Sequence, residues 1–91
     1  MNVKFNIWVF LKKGKIDNNG LCPIYMRIKL NGECIEKATK LFSNQIDWNS
    51  KNQRTRNNDL TNLEIESQKA KIYNTLSQLL DEIDNVTVYD L

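Results

Sequence analysis

The feature that most restricts what this chain can fold into is Asn31-Gly32, set between two runs of alternating character. Before it, Ile24, Met26, Ile28 and Leu30 alternate with Tyr25, Arg27 and Lys29, the period of a half-buried strand. A type I′ turn needs positive φ at both central residues, and Asn-Gly is the strongest short-range signal for it. A two-residue turn also sets the register. Leu30 then faces Glu33, Lys29 faces Cys34, Ile28 faces Ile35, Arg27 faces Glu36, Met26 faces Lys37 and Tyr25 faces Ala38. One face of the hairpin collects Ile24, Met26, Ile28, Leu30, Ile35 and Leu41 and requires a core. The other collects Tyr25, Arg27, Lys29, Cys34, Glu36, Ala38 and Lys40, and is the place to look for function.

Upstream, Val3 to Lys13 alternates as a further strand. Val3, Phe5, Ile7, Val9 and Leu11 form its more uniformly aliphatic side, assigned to the core. That leaves Trp8 and Phe10 on the side of Tyr25 and Arg27. Asp17 to Gly20 carries a turn signal, and Pro23 opens the second strand, a position where proline is tolerated. Downstream, Ser43 to Asn58 is a long Asn-rich loop with Lys51, Arg54 and Arg56. Its large apolar residues, Ile46 and Trp48, are expected to plug one end of the core. Leu60 to Ile83 follows as a helix with an apolar stripe of Ile65, Ile72, Tyr73, Leu76, Leu79, Leu80 and Ile83. Thr61 and Glu64 have the spacing of a capping box, and Leu60 and Ile65 that of a hydrophobic staple. The expected fold is α+β: a three-stranded antiparallel sheet, with strands near 3–12, 23–30 and 34–42, packed on one C-terminal α-helix near 60–84. The domain is placed at residues 1–85. Residues 86–91 are read as a short extended tail, the start of a linker.

Ninety-one residues suffice for one small domain. Charge is unevenly divided. Residues 1–58 hold eight Lys and three Arg against Asp17, Glu33, Glu36 and Asp47, a surplus of +7, while residues 59–91 hold Lys69 and Lys71 against seven acids, −5. A basic half carried on strands and loops points to a polyanion. The chain has no His, no glycine-rich phosphate loop, no metal-ligand spacing and no nucleophile beside a base. No catalysis, metal or cofactor is assigned. No apolar run reaches membrane-spanning length, so no membrane partner is expected. Cys22 and Cys34 are read as free thiols in a reducing cytoplasm.

The run VFLKKGKIDNNGLCPIYMRIKLNGECIEKATKLF, then IDWNSKNQR, then a helix containing KAKIYNTLSQLL, resembles the amino-terminal arm-type DNA-binding domain of tyrosine recombinases. The group most similar is the integrases of conjugative transposons and related mobile elements. Pro23-Ile24-Tyr25-x-Arg27-Ile28, Asn31-Gly32 and Trp48 at their observed spacing carry most of the resemblance. It implies a three-stranded sheet, backed by a helix, that enters the major groove of double-stranded DNA at arm-type sites flanking a recombination core. Strand cleavage would belong to downstream core-binding and catalytic recombinase domains. Carried over, the groove-facing positions are Trp8, Phe10, Tyr25, Arg27, Lys29, Glu36, Ala38 and Lys40. The chain departs from the family pattern at Glu33 and Cys34, where relatives often have basic residues, and at Lys40, where a glycine often follows the threonine. Independently of the resemblance, Arg27 suits a bidentate contact with guanine, and Lys29, Lys40, Lys51, Arg54 and Arg56 suit phosphates. A cross-strand ion pair between Arg27 and Glu36 is the competing role for that arginine. The competing functions are a protein-interaction module using the sheet edges and aromatic face, and a single-stranded nucleic-acid platform with Trp8, Phe10 and Tyr25 as stacking surfaces.

Overall fold

A computed structural model describes residues 4–82 and 87–91 of the chain, without the side chains of residues 81 and 82. Three antiparallel strands, β1 (Phe5–Leu11), β2 (Leu21–Leu30) and β3 (Glu33–Asn44), form a sheet in the order β1-β2-β3. A two-residue pair follows, β4 (Trp48–Asn49) and β5 (Arg54–Thr55). Helix α1 spans Asp59–Glu82. The α+β architecture expected from the sequence is present. Val3 and Ile83, assigned to a strand and to the apolar stripe, lie outside the described residues.

The hairpin register follows from the turn. Asn31 and Gly32 adopt φ of 50° and 90°, and the pairs from Leu30↔Glu33 to Tyr25↔Ala38 are those expected. β1 adds to the free side of β2 with Trp8↔Arg27 and Phe10↔Tyr25. Period-2 alternation then separates the faces. Ile7, Val9, Leu11, Ile24, Met26, Ile28 and Leu30 are buried with Ile65, Ile72 and Leu76 of the helix. Phe5 meets Tyr73 edge-on, with ring centroids 5.2 Å apart.

The ladder between β2 and β3 breaks once. Tyr25 pairs with Ala38 but Ile24 pairs with Leu41, so Thr39 and Lys40 form a bulge. Thr39 seals the gap: its hydroxyl donates to the Ile24 carbonyl at 2.7 Å and accepts from the Leu41 N–H at 3.1 Å. From the helix, the Gln68 side chain donates to the Thr39 carbonyl at 2.9 Å. Lys40 adopts φ of 65°, a left-handed conformation that favours glycine. The insertion of two residues preserves face parity, so Leu41 still packs against the core.

Four expectations are corrected. The helix is capped by Asn58, not by Thr61 with Glu64: Asn58 Oδ1 accepts the Thr61 N–H at 3.0 Å. With the cap at Asn58 no staple forms, and Leu60 is 79% exposed. Ile46 does not plug the core. It is 89% exposed, whereas Trp48 is buried, so one loop residue does the anchoring. Residues 43–58 are not a structureless loop. Asn44 Oδ1 accepts from the Asp47 N–H, Asn49 Oδ1 from the Asn52 N–H and Asp47 Oδ1 from the Asn57 N–H, so short polar side chains replace ladder bonds in a tight hairpin. Buried Asn62 in turn clamps Thr55, accepting its N–H at 2.8 Å and donating to its carbonyl at 3.0 Å. The tail is not extended either. Thr87–Leu91 contain a 3-10 turn, Val88–Asp90, which buries Val88 and lays Leu91 against the core.

Lys40→Gly should remove a left-handed penalty of about 1 kcal/mol, partly offset by glycine's extra chain entropy. The expected result in chemical denaturation is unchanged or slightly raised stability. Lys40→Val should be clearly destabilising, and a Val variant as stable as the parent would contradict the bulge geometry.

Candidate nucleic-acid interface

On the side of the sheet opposite the core, side chains of β1, β2 and β3 form three rows. Asn6, Lys29 and Cys34 form one, Trp8, Arg27 and Glu36 the next, and Phe10, Tyr25 and Ala38 the third. Arg27, Lys29, Glu36 and Ala38 are exposed, Trp8 is 47% exposed, and Phe10 and Tyr25 are half-buried. Among the described residues no element covers this face. Trp8 and Phe10 border a shallow groove shared with Lys13, Trp48 and Ser50, where β4 runs beside the edge of β1.

The face is knitted by charge and π contacts. Glu36 sits at the centre: one carboxylate oxygen accepts from Lys12 Nζ at 2.8 Å and the other from Arg27 Nη2 at 2.8 Å. The Arg27 guanidinium lies 5.1 Å from the Phe10 ring centroid. Lys12 Nζ lies 4.4 Å over the Tyr25 ring, and Lys15 Nζ approaches the Tyr25 hydroxyl at 3.2 Å. Phe10 and Tyr25 lean together with centroids 6.3 Å apart. The hydrogen bond from Lys12, then that from Arg27, holds the Glu36 carboxyl below the ordinary glutamate value. The bond to Glu36 in turn raises Arg27 above its ordinary value.

Not all the cations expected at one site are gathered there. Lys29 lies on the sheet face, and Lys40 stands exposed in the bulge. Arg54 borders a cleft with Asp59, Asn62, Leu63, Ile65 and Glu66 at the start of the helix. Arg56 borders another with Asn44, Ile46, Asp47 and Asn57. Lys51 is exposed within the β4–β5 hairpin.

Comparison with known families decides what the chain belongs to. The model of the family described as Arm DNA-binding domain matches residues 9–91. The chain belongs to the arm DNA-binding domain family. Such domains are non-catalytic DNA-binding modules in the context of recombinases. No curated protein and no solved structure gives a match. Among the described residues no helix is long and apolar enough to cross a membrane.

For an arm DNA-binding domain, sequence reasoning passed over Lys12, Lys15 and Asn6. Lys12 falls one residue past the end of β1 but continues its alternation onto the side of Trp8 and Phe10. Its ammonium reaches Glu36, opposite Arg27, only because its side chain crosses Tyr25. Lys15 reaches Tyr25 because residues Lys13–Lys15 turn back in a 3-10 helix. For Asn6 and Lys12 the signal was the alternation that places Trp8 and Phe10; for Lys15 it was the density of lysine in Lys12-Lys13-Gly14-Lys15.

The carboxyl of Glu36 titrates below its unfolded value, so the two ion pairs contribute stability above the ordinary carboxylate range. That contribution is lost as pH falls through the lowered folded value. Carbon-detected NMR titration should place the Glu36 midpoint below about 4.3, the usual glutamate value, and Lys12→Met should raise it. A midpoint at the ordinary value in the parent chain would mean that neither cation holds Glu36 in solution.

Proposed function

We propose that this domain binds double-stranded DNA sequence-specifically by laying the exposed sheet face in a major groove. In this reading it is the accessory arm-site-binding domain of a tyrosine recombinase or integrase acting in DNA integration. The observation that carries the reading is the uncovered row of Trp8, Arg27 and Glu36, between rows centred on Lys29 and on Tyr25. Neighbouring strands are about 4.8 Å apart, so a three-residue row spans about 10 Å, within the roughly 12 Å width of the major groove. Arg27 is the base reader: guanine offers two acceptors that match its fork. Ala38 and the aromatic edges suit apolar contact, such as with a thymine methyl group. Lys29, Lys40 and Lys51, with Lys15 at the sheet's end, hold phosphates, and Arg54 and Arg56 extend those contacts beyond the sheet face. Cutting and rejoining belong to downstream core-binding and catalytic domains of the parent recombinase, and the element served is a mobile one.

The interaction-module reading is weakened by the state of the sheet edges. On β1, the outward Val9 N–H is already taken by the Gln53 side chain at 2.8 Å. On β3, the bulge and the Gln68 bond to Thr39 interrupt the edge. Edges blunted in this way are poor templates for strand addition.

The phosphate roles are tested by salt dependence. Lys15→Met and Lys29→Met should each weaken binding to all duplexes alike and lower the slope of log K against log salt by about 1. A joint replacement of Lys51, Arg54 and Arg56 by Ala should lower it further. An unchanged slope in that triple variant assigns the loop cations to solvation.

The base-reading role is tested by Arg27→Lys, which keeps the charge and loses the fork. Competition between a site selected from random duplexes and scrambled DNA should show about 1–3 kcal/mol less discrimination at one base pair, with non-specific binding nearly intact. Equal losses on both DNAs would reduce Arg27 to a phosphate contact. Failure to select any site would return the face to protein recognition.

A further inference from the structure

An acid at the centre of a basic DNA-facing surface has a cost: its carboxylate repels any nearby phosphate. Glu36 nonetheless occupies the middle row, and both of its oxygens are engaged by cations from different parts of the sheet. Arg27 is its direct partner across the strand. Lys12 is not a neighbour. It lies at the level of Pro23, to whose carbonyl its N–H donates at 2.9 Å, and its side chain crosses the face of Tyr25 to reach Glu36. Stability does not explain the arrangement, because exposed ion pairs add little, and the Glu36 and Arg27 side chains are 32% and 51% exposed.

Resting on the duplex-groove reading, we infer that Glu36 is a specificity-determining residue: by tethering Lys12 and Arg27 it withholds both from indiscriminate phosphate contact and keeps the Arg27 fork aimed at one base. The geometry separates the two tasks. Phe10 and Glu36 contact the guanidinium from different directions, the ring centroid at 5.1 Å and the carboxylate at 2.8 Å on Nη2. An arginine has five N–H donors, so the rest of the fork is available to a base edge. Lys12, whose ammonium would otherwise be a mobile phosphate contact, is held by the other carboxylate oxygen at 2.8 Å. Lys15 and Lys29 carry no such tether among the described ion pairs. The face thus has untethered lysines for affinity and a tethered pair for discrimination. A protein that binds any duplex through backbone charge alone gains nothing from such an acid. One that must reject many wrong sites does, because its useful quantity is the ratio of specific to non-specific affinity.

The experiment compares the parent chain, Glu36→Gln, Lys12→Met and the Glu36→Gln/Lys12→Met double variant. Each is titrated with a selected duplex and with a scrambled one across a potassium chloride series. Glu36→Gln should bind scrambled DNA more tightly. Its salt slope should steepen by about 1–2, one for each released cation, and its ratio of selected to scrambled affinity should fall about ten-fold. The double variant should lose about 1 of that added slope. Lys12→Met alone should leave the slope almost unchanged, since a tethered Lys12 makes no phosphate contact. Glu36 is exposed, so its replacement leaves the core intact, which matched thermal melts would verify. Equal weakening of both duplexes by Glu36→Gln, or an unaltered slope and ratio, overturns the inference while leaving the groove reading in place. A loss of about 1 in slope from Lys12→Met alone also overturns it. Absence of duplex binding by the parent chain overturns the groove reading and this inference together.

Discussion

Register is the constraint on which the molecule depends. A sheet strand has a side-chain period of two, so a slip of one residue would exchange its entire buried and exposed sets. Here a slip would put Arg27 and Lys29 into the core and Ile28 into solvent. The Asn31-Gly32 turn prevents it by allowing positive φ at both central residues. β1 inherits the register by pairing with β2, which sets Trp8 beside Arg27 and Phe10 beside Tyr25. Core and interface are thus two readings of one pairing scheme. No residue of the proposed reading row can be moved without disturbing an aliphatic neighbour on the other side.

The helix and the small hairpin serve this sheet from behind and from the side. Ile65, Ile72 and Leu76 close the core, while Gln68 and Asn62 attach the helix to the bulge and to β5 through polar bonds. These bonds occur where ladder pairing stops and backbone groups need other partners. The same economy governs the edges. Gln53 takes an outward N–H of β1, and the bulge bends the register of β3. Both of these sheet edges are interrupted, and the broad face opposite the helix is left uncovered among the described residues.

The charge arrangement on that face, in the proposed reading, balances attraction against selectivity. In the proposed reading its lysines attract a polyanion, and Glu36, in the middle row, subtracts from that attraction. Arginine stacked near Phe10 and bonded to an acid is more ordered than a free surface arginine. Order in the free protein reduces what must be immobilised on binding. The family to which the chain belongs binds DNA, and the major-groove reading proposed for this surface builds on that.

Local rules acting over a few residues decided much of this protein. Alternation and Asn31-Gly32 determined the hairpin, its register and the partition of faces, and the 3.6-residue stripe determined the helix. That was enough to place Arg27 opposite Glu36 and to bring Trp8 and Phe10 beside them, because strand pairing propagates a local turn over the length of a sheet. Tertiary structure decided the rest. Asn58 displaced Thr61 as the cap, and Ile46 went to solvent while Trp48 went inward. Val88 and Leu91 folded back onto the core, although nothing nearby in sequence marks them for burial. Lys12 crossed Tyr25 to share Glu36, whereas Arg54 and Arg56 were carried to clefts off the sheet face. The physical reason is common to all of these. Periodicity encodes which way a side chain faces within its own element. It carries no information about where a loop folds, how far a long flexible side chain reaches, or which of several competing partners a polar group will find.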